Sequence, residues 1–297
     1  MSCSICKKCG HNRRTCPSKG SPRYPLINYY LNGKEIAIIK EYSMDKKTKK
    51  NKGEIGEINT INYLYDNRDD KDIINKIFGI RSRIVLIDPS NNEIITDKNS
   101  INKSPGYVKA DIIIDFIEVP IKHRVSIKCN DGSKPTLLNH TSLNAKCWDS
   151  KLKDHIEPLT SIVQGIIDKR KSGVYKEDIP CKNLELTDIQ KKCLIEVSSY
   201  FTFDGTGSCD SKCCADSILI VGNSNDVSNT SEFKDCGDKE SKEKYIESIL
   251  PKLRISLRSK GMPTKEEQIE KCRPWIYEYT DKKGNIRLCG ALHIRFI

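Results

Sequence analysis

Two groups of residues in this 297-residue chain have the types and spacing that do chemistry. In "KADIIIDFIEVPIKHRVSIKCNDGS", residues 109–133, an acid, Asp111, opens one apolar run. A lysine, Lys128, closes the next, with Ser126 two positions before it. A carboxylate beside an ammonium can be a plain cross-strand ion pair. It can also serve phosphodiester hydrolysis, where carboxylate oxygens hold a hard cation such as magnesium and lysine orients water or stabilises charge on phosphate. The second group lies in "CSICKKCGHNRRTC", where Cys3, Cys6, His11 and Cys16 follow the pattern Cys-x2-Cys-x4-His-x4-Cys. Three thiolates and one imidazole close a tetrahedral zinc shell, and so short a segment takes its folding free energy from the metal. Cys9 is the spare thiol; it can replace Cys6, but only by leaving one residue between itself and His11. Lys7, Lys8, Arg13 and Arg14 interleave with these ligands as a basic patch suited to a nucleic-acid backbone.

The elements that must position Asp111 and Lys128 are two strands. "DIIIDF" and "RVSIK" are apolar runs of strand length joined through Val119–Pro120. A turn centred there pairs residues whose numbers sum to 239, so Asp111 faces Lys128, with side chains about 5 Å apart. Ser126 shares that face because strand periodicity is two. "GEIGEINTINYLYDN" spaces its apolar residues for a helix from about Gly53 to Tyr65. "RIVLID", "CLIEVSSYFTF", "DSILIVG" and "RISLR" read as further strands, and "PLTSIVQGIIDKR" as helix. Residues 223–245 are polar and low in apolar side chains, which predicts a mobile surface loop. The chain then ends in a hairpin turning at Lys283–Gly284.

Lys and Arg exceed Asp and Glu by 51 − 40 = 11, which favours a polyanionic partner, nucleic acid before membrane. No stretch approaches the roughly 18 apolar residues of a membrane span, and the N-terminus has no apolar signal core. The expected location is intracellular, and there the 14 cysteines are thiols or metal ligands rather than disulfides. "DGTGSCDSKCC" brings Cys209, Cys213 and Cys214 together with Asp204 and Asp210. A Gly-rich turn is the favoured reading of it, and a second zinc site the alternative.

The N-terminal pattern, with Gly10 before the histidine, resembles the CCHC zinc knuckle, a module that generally binds nucleic acid. The hairpin resembles the PD-(D/E)xK nuclease superfamily, and particularly type II restriction endonucleases. In that family an acid on one strand is followed across a hairpin by an acid-x-lysine triplet, and a glutamate often comes from a preceding helix. Asp111 fits the first acid, Ser126-Ile127-Lys128 the triplet, and Glu57 or Glu54 the helix position, with Glu57 favoured. The stretch "CNDGSKPTLLNHTS" is also similar to the segment that follows the lysine in some restriction enzymes. Ser126 departs from the family's acid, which places more weight on Glu57 and on the Ile127 carbonyl as metal ligands.

The resemblance implies an α/β fold, a mixed central sheet flanked by helices, over residues 21–297, with the knuckle at residues 1–20. It implies Mg2+ held by Asp111, Glu57 and Ile127, with Lys128 managing the water and Ser126 in support. Zn2+ would sit in the knuckle. Double-stranded DNA is the implied substrate, a homodimer the assembly, and a separate DNA methyltransferase the cognate partner. Two rivals stand: a structure-selective nuclease for junctions or repair, and a non-catalytic nucleic-acid-binding protein with a degenerate core.

Overall fold

The computed structural model describes residues 27–31, 34–38, 52–130, 134–173, 179–208, 210–280 and 284–296, the first two segments by backbone alone. The residues expected to bind zinc, Cys3, Cys6, His11 and Cys16, and the basic residues Lys7, Lys8, Arg13 and Arg14, lie outside them. Packing divides the chain into two units, Met1–Lys49 with Glu278–Leu288, and Lys50–Tyr277 with Cys289–Ile297. In the first, β1 (Ile27–Leu31) and β2 (Lys34–Ile38) form an antiparallel pair.

The second unit is mixed α/β. Its central sheet has five strands in the order β3 (Ile84–Ile87), β4 (Ile112–Phe116), β5 (Ile121–Cys129), β8 (Ser217–Val221), β9 (Ser231–Asp235). All neighbours are antiparallel except β5 and β8, which run parallel. A second sheet has the order β6 (Thr136–Thr141), β13 (Ala291–Phe296), β10 (Leu253–Arg258), β7 (Ile179–Pro180). β11 (Tyr277–Thr280) and β12 (Ile286–Cys289), most of whose residues belong to the first unit, pair with each other. The helices are α1 (Lys52–Asp66), α2 (Lys71–Phe78), α3 (Ser142–Lys146), α4 (Ser150–Lys153), α5 (Ile156–Lys171), α6 (Asp188–Ser199), α7 (Val227–Thr230), α8 (Lys239–Ile249) and α9 (Glu266–Glu270). Among the described residues no helix is long and apolar enough to cross a membrane.

Period-two alternation puts a core on each face of the central sheet. Leu219 and Val221 join Val125, Ile127, and Ile61 and Leu64 of α1 on one side. Ile218 and Ile220 pack on the other with α5, α6, α8 and the four-stranded sheet. The helix expected from Gly53 to Tyr65 is α1, and the runs "RIVLID", "DSILIVG" and "RISLR" contain or form β3, β8 and most of β10.

Three expectations give way. The β4–β5 loop is residues 117–120, so paired residues sum to 237, as in Ile112↔Val125 and Phe116↔Ile121, and not to 239. Asp111 therefore stands level with Ser126, and Lys128 lies one step of the same face beyond it. A slip of two preserves the face; a slip of one reverses it. "CLIEVSSYFTF" is the end of α6 running into a π-helical turn at Tyr200–Asp204. Its continuous apolar pattern reflects burial all round, since Cys193, Leu194, Val197, Ser198 and Phe203 are all enclosed. The start signal was local: Thr187 and Gln190 form a reciprocal capping box. Residues 223–245 carry α7, β9 and most of α8 in place of a loop. β9 is an edge strand with mostly outward residues, and Asp238 caps α8 by accepting from the Ser241 N–H at 2.8 Å, so little apolar sequence is needed.

Candidate functional site

The β4–β5 hairpin and α1 bring together the three groups expected to act together. Asp111 lies just before β4, its N–H donating to the Val125 carbonyl at 2.8 Å. Its Oδ2 accepts from the Ile127 N–H at 2.7 Å and lies 3.9 Å from Lys128 Nζ. Lys128 donates to Ser126 Oγ at 2.9 Å and to the Ile127 carbonyl at 3.1 Å. The ammonium is thus seated on the serine that stands where an acid was expected, and the contact with Asp111 is the longer one. α1 packs on β5 and delivers Glu57 within electrostatic reach of Asp111 and Lys128. Glu54 takes a different partner, Lys103, at 2.5 Å. Glu57 is therefore the helix acid of this cluster.

The electrostatics are those of an underneutralised site. Burial, then the neighbouring Asp111 carboxylate, push Glu57 from 4.5 up to about 7, against the pull of Lys128 and Lys103. Burial also raises Asp111 above the ordinary carboxylate range, opposed first by Lys128 and then by the Ile127 N–H. Two enclosed carboxyls that prefer to keep protons mark a place short of positive charge. Their oxygens and the Ile127 carbonyl are donors a hard cation accepts. Among the described residues no three His, Cys, Asp or Glu side chains gather as a metal-ligand group.

One contributor escaped the sequence reading. Lys109, two residues before Asp111, donates to the Phe201 carbonyl in the π-helical turn at 2.8 Å. Burial, then the charge on Lys128, lower it to about 8. Period-two spacing ahead of Asp111 was the signal available for it. His140 sits in an aromatic cluster with Trp148 and Phe201. Its Nδ1 accepts from Trp148 Nε1 at 3.2 Å, its ring centroid is 4.7 Å from that of Phe201, and burial, then Lys109, push it down to about 4. It is a neutral packing group. In the Gly- and Cys-rich loop, Cys213 is buried and Cys214 Sγ donates to the Asp204 carbonyl at 3.3 Å, while Cys209 lies outside the described residues. Gly207 has φ +99°, and a Cβ there would meet Trp148 Cδ1 at 2.8 Å, so close packing accounts for that glycine.

A cavity of about 530 Å³ opens beside α6, lined by His155, Glu196, Tyr200, Asp204 and Asp210 among others. Its charges are paired internally: His155 with Glu196 at 3.3 Å, Asp204 with Lys242 at 2.8 Å, and Asp210 with Lys151. Comparison of the chain with protein-family models, with curated proteins and with solved structures finds no match.

Proposed function

We propose that this protein is a magnesium-dependent, sequence-specific endonuclease of the restriction type that hydrolyses phosphodiester bonds in double-stranded DNA. The observation that carries the reading is the meeting of Glu57, Asp111 and Lys128 at one end of the β4–β5 hairpin, with both carboxyls held above their ordinary range. Burial raises Asp111 by more than its pairing with Lys128 lowers it, so the enclosed acids are short of compensating positive charge. Proteins bear such a cost chiefly where a ligand relieves it.

The donor set fits a hard divalent ion. Asp111, Glu57 and the Ile127 carbonyl would hold it, with water in the remaining positions. Bound there, the ion supplies positive charge against the phosphate oxygens. Lys128, anchored on Ser126 Oγ, orients the attacking water and meets the negative charge that develops on the phosphate. Ser126 keeps the ammonium on this face. Lys109 adds positive charge on the side of the π-helical turn. The N-terminal knuckle, with Cys3, Cys6, His11 and Cys16 around Zn2+, adds affinity for the duplex through its basic side chains. A twofold dimer would match a palindromic site, and a separate methyltransferase would protect host or viral DNA.

The test is digestion of unmethylated plasmid and phage DNA with magnesium, beside EDTA and a Lys128→Ala protein. Discrete fragments that vanish in both controls are the expected result. Cleavage confined to nicked or branched substrates would transfer the site to a structure-selective nuclease. Retarded but intact DNA, equal for the variant, would reduce the cluster to a binding protein's ion pair.

A further inference from the structure

The Gly- and Cys-rich loop of residues 204–214 has no part in that chemistry, yet it is laced to the segment entering Asp111. The Lys109 N–H donates to the Cys213 carbonyl at 3.0 Å and to Ser211 Oγ at 2.8 Å, and the Ala110 N–H to the Cys213 carbonyl at 3.2 Å. The Tyr107 carbonyl accepts from the Lys212 N–H at 3.3 Å and from Ser211 Oγ at 2.8 Å. Ser211, itself 9% exposed, ties the two strands of backbone together. The side chains carried by this ladder are unlike their surroundings. Tyr107 is 47% exposed, and its hydroxyl has no hydrogen-bond partner among the described residues. Lys212 is exposed, holds its Nζ 5.4 Å from the Tyr107 ring centroid, and forms no ion pair with a described carboxylate.

We propose that Tyr107 and Lys212 form a nucleotide subsite beside the Glu57–Asp111–Lys128 cluster, the ring packing against a nucleotide and the ammonium taking its phosphate. The inference rests on the nuclease reading and says where the strand next to the cut is held. Tyr107 is four chain steps before Asp111, which limits their Cα atoms to about 14 Å, and Ser104 Oγ closes the loop onto the Asp111 carbonyl at 3.3 Å. In this approach Lys98 pairs with Asp66 and Lys103 with Glu54, which leaves Lys212 as the exposed cation beside Tyr107 for a phosphate. An aromatic ring against a sugar and a cation on the adjoining phosphate position a duplex strand without reading its sequence. Backbone hydrogen bonds fix the pair before any ligand arrives, which lowers the cost of ordering it on binding.

The test is equilibrium binding of a short fluorescein-labelled duplex to the full chain in EDTA, so that no strand is cut. The same duplex is then digested with magnesium. Tyr107→Ala and Lys212→Ala are each expected to weaken binding about tenfold. Tyr107→Phe is expected to bind like the unmodified chain, because the hydroxyl is unused. Lys212→Ala should also reduce the slope of log affinity against log salt by about one. If Tyr107→Ala does not fold, the Lys212→Ala slope decides. Unchanged affinity and slope in both alanine variants, with cleavage intact, would overturn the subsite and leave the nuclease standing. A chain that neither binds nor cuts the duplex would overturn both.

Discussion

The two ends of the β4–β5 hairpin use the same residue types to opposite effect. At the turn, Glu118 accepts from Ser82 Oγ at 2.6 Å and from the Arg83 N–H at 2.6 Å, and pairs with Lys71 at 2.7 Å and Arg83 at 2.9 Å. Lys71, then Ser82 and Arg83, hold its carboxyl well below the usual range. At the open end, Asp111 and Glu57 share an enclosed space with Lys128 and are pushed up. An acid surrounded by donors stabilises the fold, while acids crowded and enclosed weaken it. An acid and a lysine at strand ends carry no meaning by themselves; Glu118 is ringed by donors, while Asp111 is enclosed beside a second acid with its lysine 3.9 Å away.

The strongest way to break the comparison is to neutralise each end in turn. Asp111→Asn should lower plasmid cleavage by about a thousandfold, on the scale of losing a principal transition-state contact, yet raise the melting temperature. Glu118→Gln should leave cleavage unchanged and lower the melting temperature. Reversed melting shifts would sink the distinction.

Next in size is the pH dependence of stability. Glu57 keeps its proton to about pH 7 when folded and to its ordinary 4.5 when unfolded. The folded chain therefore binds more protons between those values, and stability falls as pH rises through that window. Glu57→Gln should remove this fall in denaturant titrations and gain up to about 3 kcal/mol at pH 7. Glu118 runs the other way. Its contribution is present above the ordinary carboxylate range and is lost as pH drops below it, so Glu118→Gln should flatten the acid limb alone.

A smaller effect follows from magnesium. Binding at Glu57 must displace its proton, so calorimetry at pH 7 in buffers of different ionisation enthalpy should register release of about half a proton. Glu57→Gln should register none from this site. Smallest is Ser82→Ala, which removes one donor from Glu118 and should cost a few degrees of melting temperature without touching cleavage. A drop in cleavage there would show that the two ends are coupled.

Much of the frame was legible in the sequence because alternation and turns are local signals. β3, β4, β5, β8, β10 and α1 announce themselves through apolar runs and helical spacing. The face shared by Asp111, Ser126 and Lys128 was legible for the same reason, although their register was displaced by two. The choice between Glu54 and Glu57 was not, since it depends on Lys103, some fifty positions away, claiming Glu54. α6 was hidden because a segment buried on all sides has no periodicity to show. Lys109 was hidden because its hydrogen-bond partner is a backbone carbonyl in a π-helical turn.

The strands of the two sheets alternate along the chain. β3, β4 and β5 belong to the central sheet, β6 and β7 to the second, β8 and β9 to the first again, and β10 and β13 to the second. Among the described strands, β6 bonds only to β13, and β7 only to β10. As the chain leaves the ribosome, both must wait without a partner until residues 253–296 have been made, an interval in which open strand edges invite aggregation and chaperones. The central sheet is complete by residue 235, but its outer core is not. A cut after β9 would leave β6 and β7 without their neighbours: the strands that arrive last release the rest of the molecule from its waiting state.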